Sequence, residues 1–190
     1  MKIEILKLTS WNDVLNAARF TRRKELVDTI PSVKFRRDMV IAEHSPLRCL
    51  QFFIDMYDIP YYVSVHFVRH VHAQPYASTS RPDIDGTVLP REEQRKTDLV
   101  NLRLLVNAQE IIHISRLRLC KCAEKETRQV WEAVIKELEK IEPILAKACV
   151  PTCVYRGFCP ELTPCGYCYT DPWCKRRNEY TCLKYEVDKT

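Results

Sequence analysis

Apolar and polar residues alternate over residues 1–9, the two-residue period of a strand with one face turned to a core. Ser10 then stands as an N-cap for a helix over about 11–23, with Val14, Leu15, Ala18 and Phe20 as its apolar positions. The Phe-, Ile- and Tyr-rich run Leu50–Tyr57 predicts a second strand. Pro60 can occupy the first turn of a helix carrying Tyr62, Val63, His66, Phe67 and His70. From Pro75 to Pro90 the prolines, one glycine and small polar residues predict a loop. Leu99–Val106 fits either a strand or the start of a helix. Asn107 is a cap for the next helix, whose face is set by Ile111, Ile112, Ile114, Ser115 and Leu117. Val130, Val134, Leu138, Ile141 and Leu145 recur at helical spacing and predict an amphipathic helix over about 124–147. The Cys/Pro/Tyr-rich tail from Pro151 reads as irregular. The pattern as a whole is α+β.

Composition narrows the chemistry. The 190 residues suit one domain with a small appendage, and with 46% apolar residues the chain can bury a sizeable core. No apolar run approaches the roughly 18 residues that span a membrane, and no signal-peptide pattern opens the sequence, so a soluble, cytoplasmic protein is expected. A net charge of +5 suits an anionic small molecule such as a nucleotide. Only three glycines are present (Gly86, Gly157, Gly166), which excludes both the GxGxxG and the Walker A phosphate loops. Side chains and helix ends must hold any phosphate.

The residues that carry chemistry cluster between 66 and 81. Arg69 and His70 end a predicted helix, and Ser78, Thr79, Ser80 and Arg81 close the loop after it. Arginine forks match phosphate oxygens, and short hydroxyls complete an anion cradle. A solvated loop beside a charged helix end gives the same pattern. Order and spacing add to it. Phe67-Val68-Arg69-His70-Val71 with Thr79 and Arg81 downstream resembles the Arg-His-Arg…Ser-x-Arg signature of flavin-dependent thymidylate synthases. Asn16-Ala17-Ala18-Arg19, His44-Ser45-Pro46-Leu47, and Asn107-Ala108-Gln109 with Leu117-Arg118-Leu119 resemble further blocks of that family, in the same order over about residues 1–150.

The resemblance implies an antiparallel sheet packed with long helices, the thymidylate synthase-complementing-protein fold, over 1–150, with a Cys-rich extension over 151–190. It implies FAD, NADPH and methylenetetrahydrofolate, conversion of dUMP to dTMP or a closely related pyrimidine modification, and a homotetramer whose sites lie between subunits. Carried over by position, Ser45, Arg69, His70, Asn107, Gln109 and His113 would contact FAD. His66, Arg69, Ser78, Thr79, Ser80 and Arg81 would line the nucleotide pocket, with Arg91 or Arg95 as a further phosphate contact. Arg118 would sit against the pyrimidine as the catalytic cation. The chain departs from the signature at Val71 (an arginine in the family), at Tyr76-Ala77 (Asn-Glu), at Thr79 (Ser) and at Cys122 (commonly His). These departures also suit a degenerate homologue that binds nucleotide or flavin as a regulatory module. His113 shares a helix face with isoleucines, which suits a core histidine as well as a cofactor contact.

Seven of the ten cysteines lie from Cys149 onward. Cys153, Cys159, Cys165 and Cys168 are the candidate ligands of a structural zinc, although the spacing matches no standard zinc ribbon and buried free thiols explain it as well. A zinc-binding protein that contacts nucleic acid is the third reading.

Overall fold

The computed structural model describes residues 1–185, the Lys184 side chain excepted. Four strands, β1 (Lys2–Lys7), β2 (Gln51–Pro60), β3 (Gln74–Ala77) and β4 (Leu99–Asn107), form one antiparallel sheet in the order β1-β2-β4-β3. The register pairs Phe52 with Val106, Ile54 with Leu104 and Met56 with Leu102. Because strand side chains alternate faces, all six point to one side, and all are buried. The opposite face is more open, and there Arg103 makes a two-pronged pair with Asp55 directly across (2.6 Å each) while lying over the Phe53 ring. A bulge between Met56 and Ile59, with Asp58 in the left-handed region (φ 54°), returns Ile59 to the core.

Helices cover the apolar face. They are α1 (Trp11–Phe20), α2 (Val33–Ala42), α3 (Tyr61–Phe67), α4 (Ala108–Arg118), α5 (Lys125–Ile141), α6 (Pro143–Ala148), α7 (Thr152–Arg156) and α8 (Asp171–Cys182). Short 3-10 turns follow α2 (Ser45–Cys49) and α8 (Leu183–Tyr185). Ser10 and Asp13 form a reciprocal capping box at the start of α1. Glu142, buried between α5 and α6, accepts from Trp11 Nε1 and Lys7 Nζ (both 2.9 Å) and so ties α1 and β1 to the helical layer.

The structure differs from the expected elements in five places. The helix expected over 11–23 stops at Phe20, and Arg23 turns left-handed (φ 53°). The helix expected over 124–147 breaks before Pro143, whose ring disfavours helical geometry at Glu142 (φ −139°, ψ 69°). The expected loop from Pro75 contains β3, and α2 was not foreseen. The tail is not irregular throughout. It carries α7, capped by left-handed Gly157, and α8. Beside the main core, the tail has a small one of Val150, Cys153, Val154 and Trp173, while Leu183 returns to the main core.

Chain connectivity places the chemistry. β2 runs directly into α3, and β4 runs through Asn107 into α4. The C-terminal turns of α3 and α4 therefore meet over the sheet, braced from behind by α5. There Trp131 packs on Phe67 (5.4 Å between ring centres) and donates to Ser115 Oγ (2.9 Å).

Candidate functional site

Asn107 caps α4 by accepting from the Glu110 backbone N–H (3.0 Å), which sets the rotation of the helix. That rotation buries Glu110, on the α4 turn that faces the segment after α3. His70, in the turn beyond α3, is also buried (6% exposed). Its Nδ1 lies 3.5 Å from Glu110 Oε1, at the outer edge of hydrogen-bond range, and His113 Nδ1 lies 3.2 Å from Glu110 Oε2. On the other side of the His70 ring, Arg118 Nε donates to Nε2 (3.0 Å), and Arg118 Nη2 donates to the His66 carbonyl (2.8 Å). That last contact satisfies an open carbonyl at the end of α3. The result is a row of buried carboxylate, buried imidazole and half-buried guanidinium.

A second row starts from His66. His66 Nδ1 is 2.6 Å from Thr127 Oγ1, which donates to Glu124 Oε2 (2.9 Å). Glu124 also accepts from the backbone N–H groups of Glu126 (3.1 Å) and Thr127 (2.7 Å) at the start of α5.

These surroundings set the ionisation. Burial raises the Glu110 pKa, but hydrogen bonds from His70 and His113 outweigh it and hold the group below its ordinary value. Burial acts the same way on Glu124, and hydrogen bonds from Glu126 and Thr127 bring it down to about 2. Burial and the charge of Arg69 lower Arg118, yet a guanidinium stays protonated.

The structure has two further clefts, of which the smaller reaches the first row at Glu110 and His113. The larger, about 600 Å³, is lined by Ser78, Thr79 and Ser80 together with Arg91, Arg95 and Lys96, and also by Asp58, Asp85 and Asp98. The smaller, about 330 Å³, is lined by Asn107, Gln109, Glu110, His113, Arg48 and Arg116, among others. Gln109 is fixed there between Arg48 Nε (2.5 Å) and the Glu43 carbonyl (3.2 Å). Arg116 pairs with Glu43 and stacks on Tyr155 of the tail (3.7 Å to the ring centre).

The expected site residues are thus distributed. Ser78, Thr79 and Ser80 share one cleft, and Asn107, Gln109 and His113 share the other. Arg118 and His66 meet at the α3–α4 junction and line neither cleft. His70 differs from its expected place as a cofactor contact, since it is buried with both ring nitrogens engaged. Ser45 and Arg69 are exposed and line neither cleft, and Arg81 lies outside them, paired with Asp83 (2.5 Å). Glu110, Thr127, Glu124 and Arg48 were not foreseen as site groups. One signal for Glu110 was available: an ionisable side chain three residues after a capping Asn, inside an apolar helix face.

The zinc expectation fares differently. Among the described residues, no three His, Cys, Asp or Glu side chains are arranged to hold a metal ion. The four proposed ligands divide. Cys168 hydrogen-bonds with Cys153 and Cys159, and burial together with these neighbours pushes its pKa to about 12. Cys165 instead meets Cys122, whose pKa burial and Cys165 also push to about 12. All ten cysteines are free thiols.

No protein-family model and no curated protein matches the chain in sequence. Solved structures do match in shape. One is flavin-dependent thymidylate synthase ThyX from Helicobacter pylori complexed with FAD and dUMP, at TM-score 0.62 and 15% identity, covering 77% of this chain and 99% of that one. A second structure of the same enzyme with FAD and dUMP gives the same values. The UMP/dUMP methylase PolB from Streptomyces cacaoi, bound with 5-Br dUMP, matches at TM-score 0.60 and 14% identity, covering 83% of this chain and 96% of that one. The fold is ThyX-like. At this identity the likeness establishes architecture and leaves the chemistry to the residues. Among the described residues no helix is long and apolar enough to cross a membrane.

Proposed function

We propose that this chain binds FAD and a pyrimidine deoxynucleotide such as dUMP and transfers a one-carbon unit to the base. Methylenetetrahydrofolate is the donor and NADPH the reductant, and the sites are completed in a homotetramer. The observation that carries the proposal is Arg118. It is a half-buried cation held from two sides by His70 and His66, which gives a fixed positive charge where the ends of α3 and α4 meet. A cation fixed in advance stabilises negative charge that develops on a pyrimidine ring, because little reorganisation is needed when the charge appears.

The donor sets support the ligands. Ser78, Thr79 and Ser80 offer hydroxyls beside Arg91, Arg95 and Lys96, a suitable cradle for a nucleotide phosphate. Gln109, His113, Arg48 and Arg116 offer amide, imidazole and guanidinium groups to a flavin. The volume of about 330 Å³ is at the low end for ligand pockets, so this chain contributes one wall of a flavin site. Flavin, when bound, supplies the reducing equivalents. The protein's own part is to orient the nucleotide, hold Arg118 against the base and keep Gln109 and Arg116 in fixed rotamers.

Val71 favours a second reading, a regulatory module that binds without turnover. It stands where the family signature has a cation and is 86% exposed. The two are separated by adding FAD, NADPH and dUMP to purified protein. A flavin band that bleaches with NADPH, with methylated product formed when the folate is supplied, is the expected result. Binding without bleaching supports the module, and no flavin uptake removes the enzyme reading.

A further inference from the structure

We propose that Glu110 is a positioning residue, which fixes His70 as the neutral Nδ1–H tautomer so that Nε2 holds Arg118. His70 then serves as a bracket for Arg118, with no ring nitrogen left for a ligand. This role deepens the nucleotide reading above and rests on it for the binding effect alone.

The geometry leaves little choice of protonation. Arg118 Nε carries a hydrogen and lies 3.0 Å from His70 Nε2, so Nε2 is the acceptor for as long as that contact is made. An imidazolium, or the Nε2–H tautomer, would set two N–H groups against each other in a buried site. The remaining proton is therefore on Nδ1, which faces Glu110 Oε1 at 3.5 Å. Glu110 meets a second N–H donor at His113 Nδ1, 3.2 Å from Oε2, and the His113 ring stands edge-on to His70 with centres 6.3 Å apart. Glu110 Oε1 is buried and makes no hydrogen bond, so the His70 Nδ1–H at 3.5 Å is the dipole that a carboxylate oxygen there gains from. The groups facing the His70 ring are thus Glu110, His113 and Arg118, with Arg69 adding its charge near Arg118.

His66 follows the same logic. The Thr127 hydroxyl donates to Glu124 and so accepts from His66 Nδ1–H, which fixes the same tautomer. The His66 carbonyl then takes Arg118 Nη2. Each carboxylate orders one imidazole, and the two histidine residues between them hold one guanidinium.

The test has two arms. In the first, two-bond proton–nitrogen correlation spectra of 15N-labelled protein at pH 7, assigned with a His70→Asn variant, report the His70 tautomer without any ligand. Protonated Nδ1 and unprotonated Nε2 are expected. An Nε2–H ring, or an imidazolium, overturns the proposal. In the second, Glu110→Gln keeps the shape and removes the charge. It is expected to mix the His70 tautomers and weaken dUMP binding about tenfold, the scale of a lost hydrogen bond to a charged group. The loss should be absent when the same change is made in Arg118→Ala protein, because Glu110 acts through Arg118. An unchanged tautomer and unchanged dUMP affinity in Glu110→Gln also overturn the role. If wild-type protein shows the expected tautomer but binds no dUMP, the nucleotide reading fails and the bracket on Arg118 stands. A Glu110→Gln chain that does not fold leaves the wild-type spectra to decide.

Discussion

The segment from Arg69 to Arg81 begins in one kind of structure and ends in another. At its start His70 is buried, with both ring nitrogens engaged by groups from α4. At its end Ser78, Ser80 and Arg81 are exposed, and the polar contacts of Arg81 are to its own neighbours Thr79 and Asp83. The first half is held by the core. The second half has hydroxyls in place around a cleft, and beyond β3 it is bound to the domain through Ser78 with Asn101 and through the Ser80 carbonyl with Gln94. Preorganisation therefore resides in the helices, and adaptation to a ligand is left to the loop.

The largest test of this contrast is Trp131→Ala. The side chain is fully buried and supports both α3, through Phe67, and α4, through Ser115. Its removal is expected to cost about 3–5 kcal/mol of stability, read from urea unfolding. Loss below about 1 kcal/mol would show that the junction is not held by the core.

Acid should act on the same half. A carboxyl whose pKa is lowered by folding contributes stability that is fully present above its unfolded value and lost as pH falls through the folded one. For Glu124 that window runs from about 4.5 down to about 2, and Glu110 is shifted in the same direction. The urea midpoint should fall across this range, and Glu124→Gln should flatten the fall. A profile unchanged by Glu124→Gln would contradict the second row.

The smallest effect is expected in the loop. Arg81 and Asp83 are both more than half exposed, so Arg81→Ala should change stability by no more than about 0.5 kcal/mol. A large loss would mean that the loop is as firmly built as the junction.

The fold was legible in the sequence where periodicity and capping agreed. The alternation of residues 1–9, Ser10 before α1 and Asn107 before α4 each predicted an element that the structure contains. Local pattern was less reliable where tertiary packing decides. β3 is a four-residue edge strand whose Pro75 reads as loop, and it forms because β4 offers a free edge. The tail helices gain their stability from Trp173 and the small core around Cys153, contacts that no local period announces. The candidate site was legible as a list of residue types near one motif. Its geometry was not, because Glu110, Thr127 and Glu124 act on histidines 40 to 61 residues away in sequence. The grouping of the cysteines was also hidden. Cys165 and Cys168, a CxxC pair in sequence, hydrogen-bond to different partners in space.

The central claim is that Arg118 is a fixed cation that receives a pyrimidine nucleotide. Calorimetric titration of dUMP into FAD-supplied protein, wild type beside Arg118→Ala, tests it most directly. The account predicts saturable binding to wild type and a loss of at least about tenfold in affinity in the variant, with the variant still folded. Equal affinity in the two proteins would contradict it.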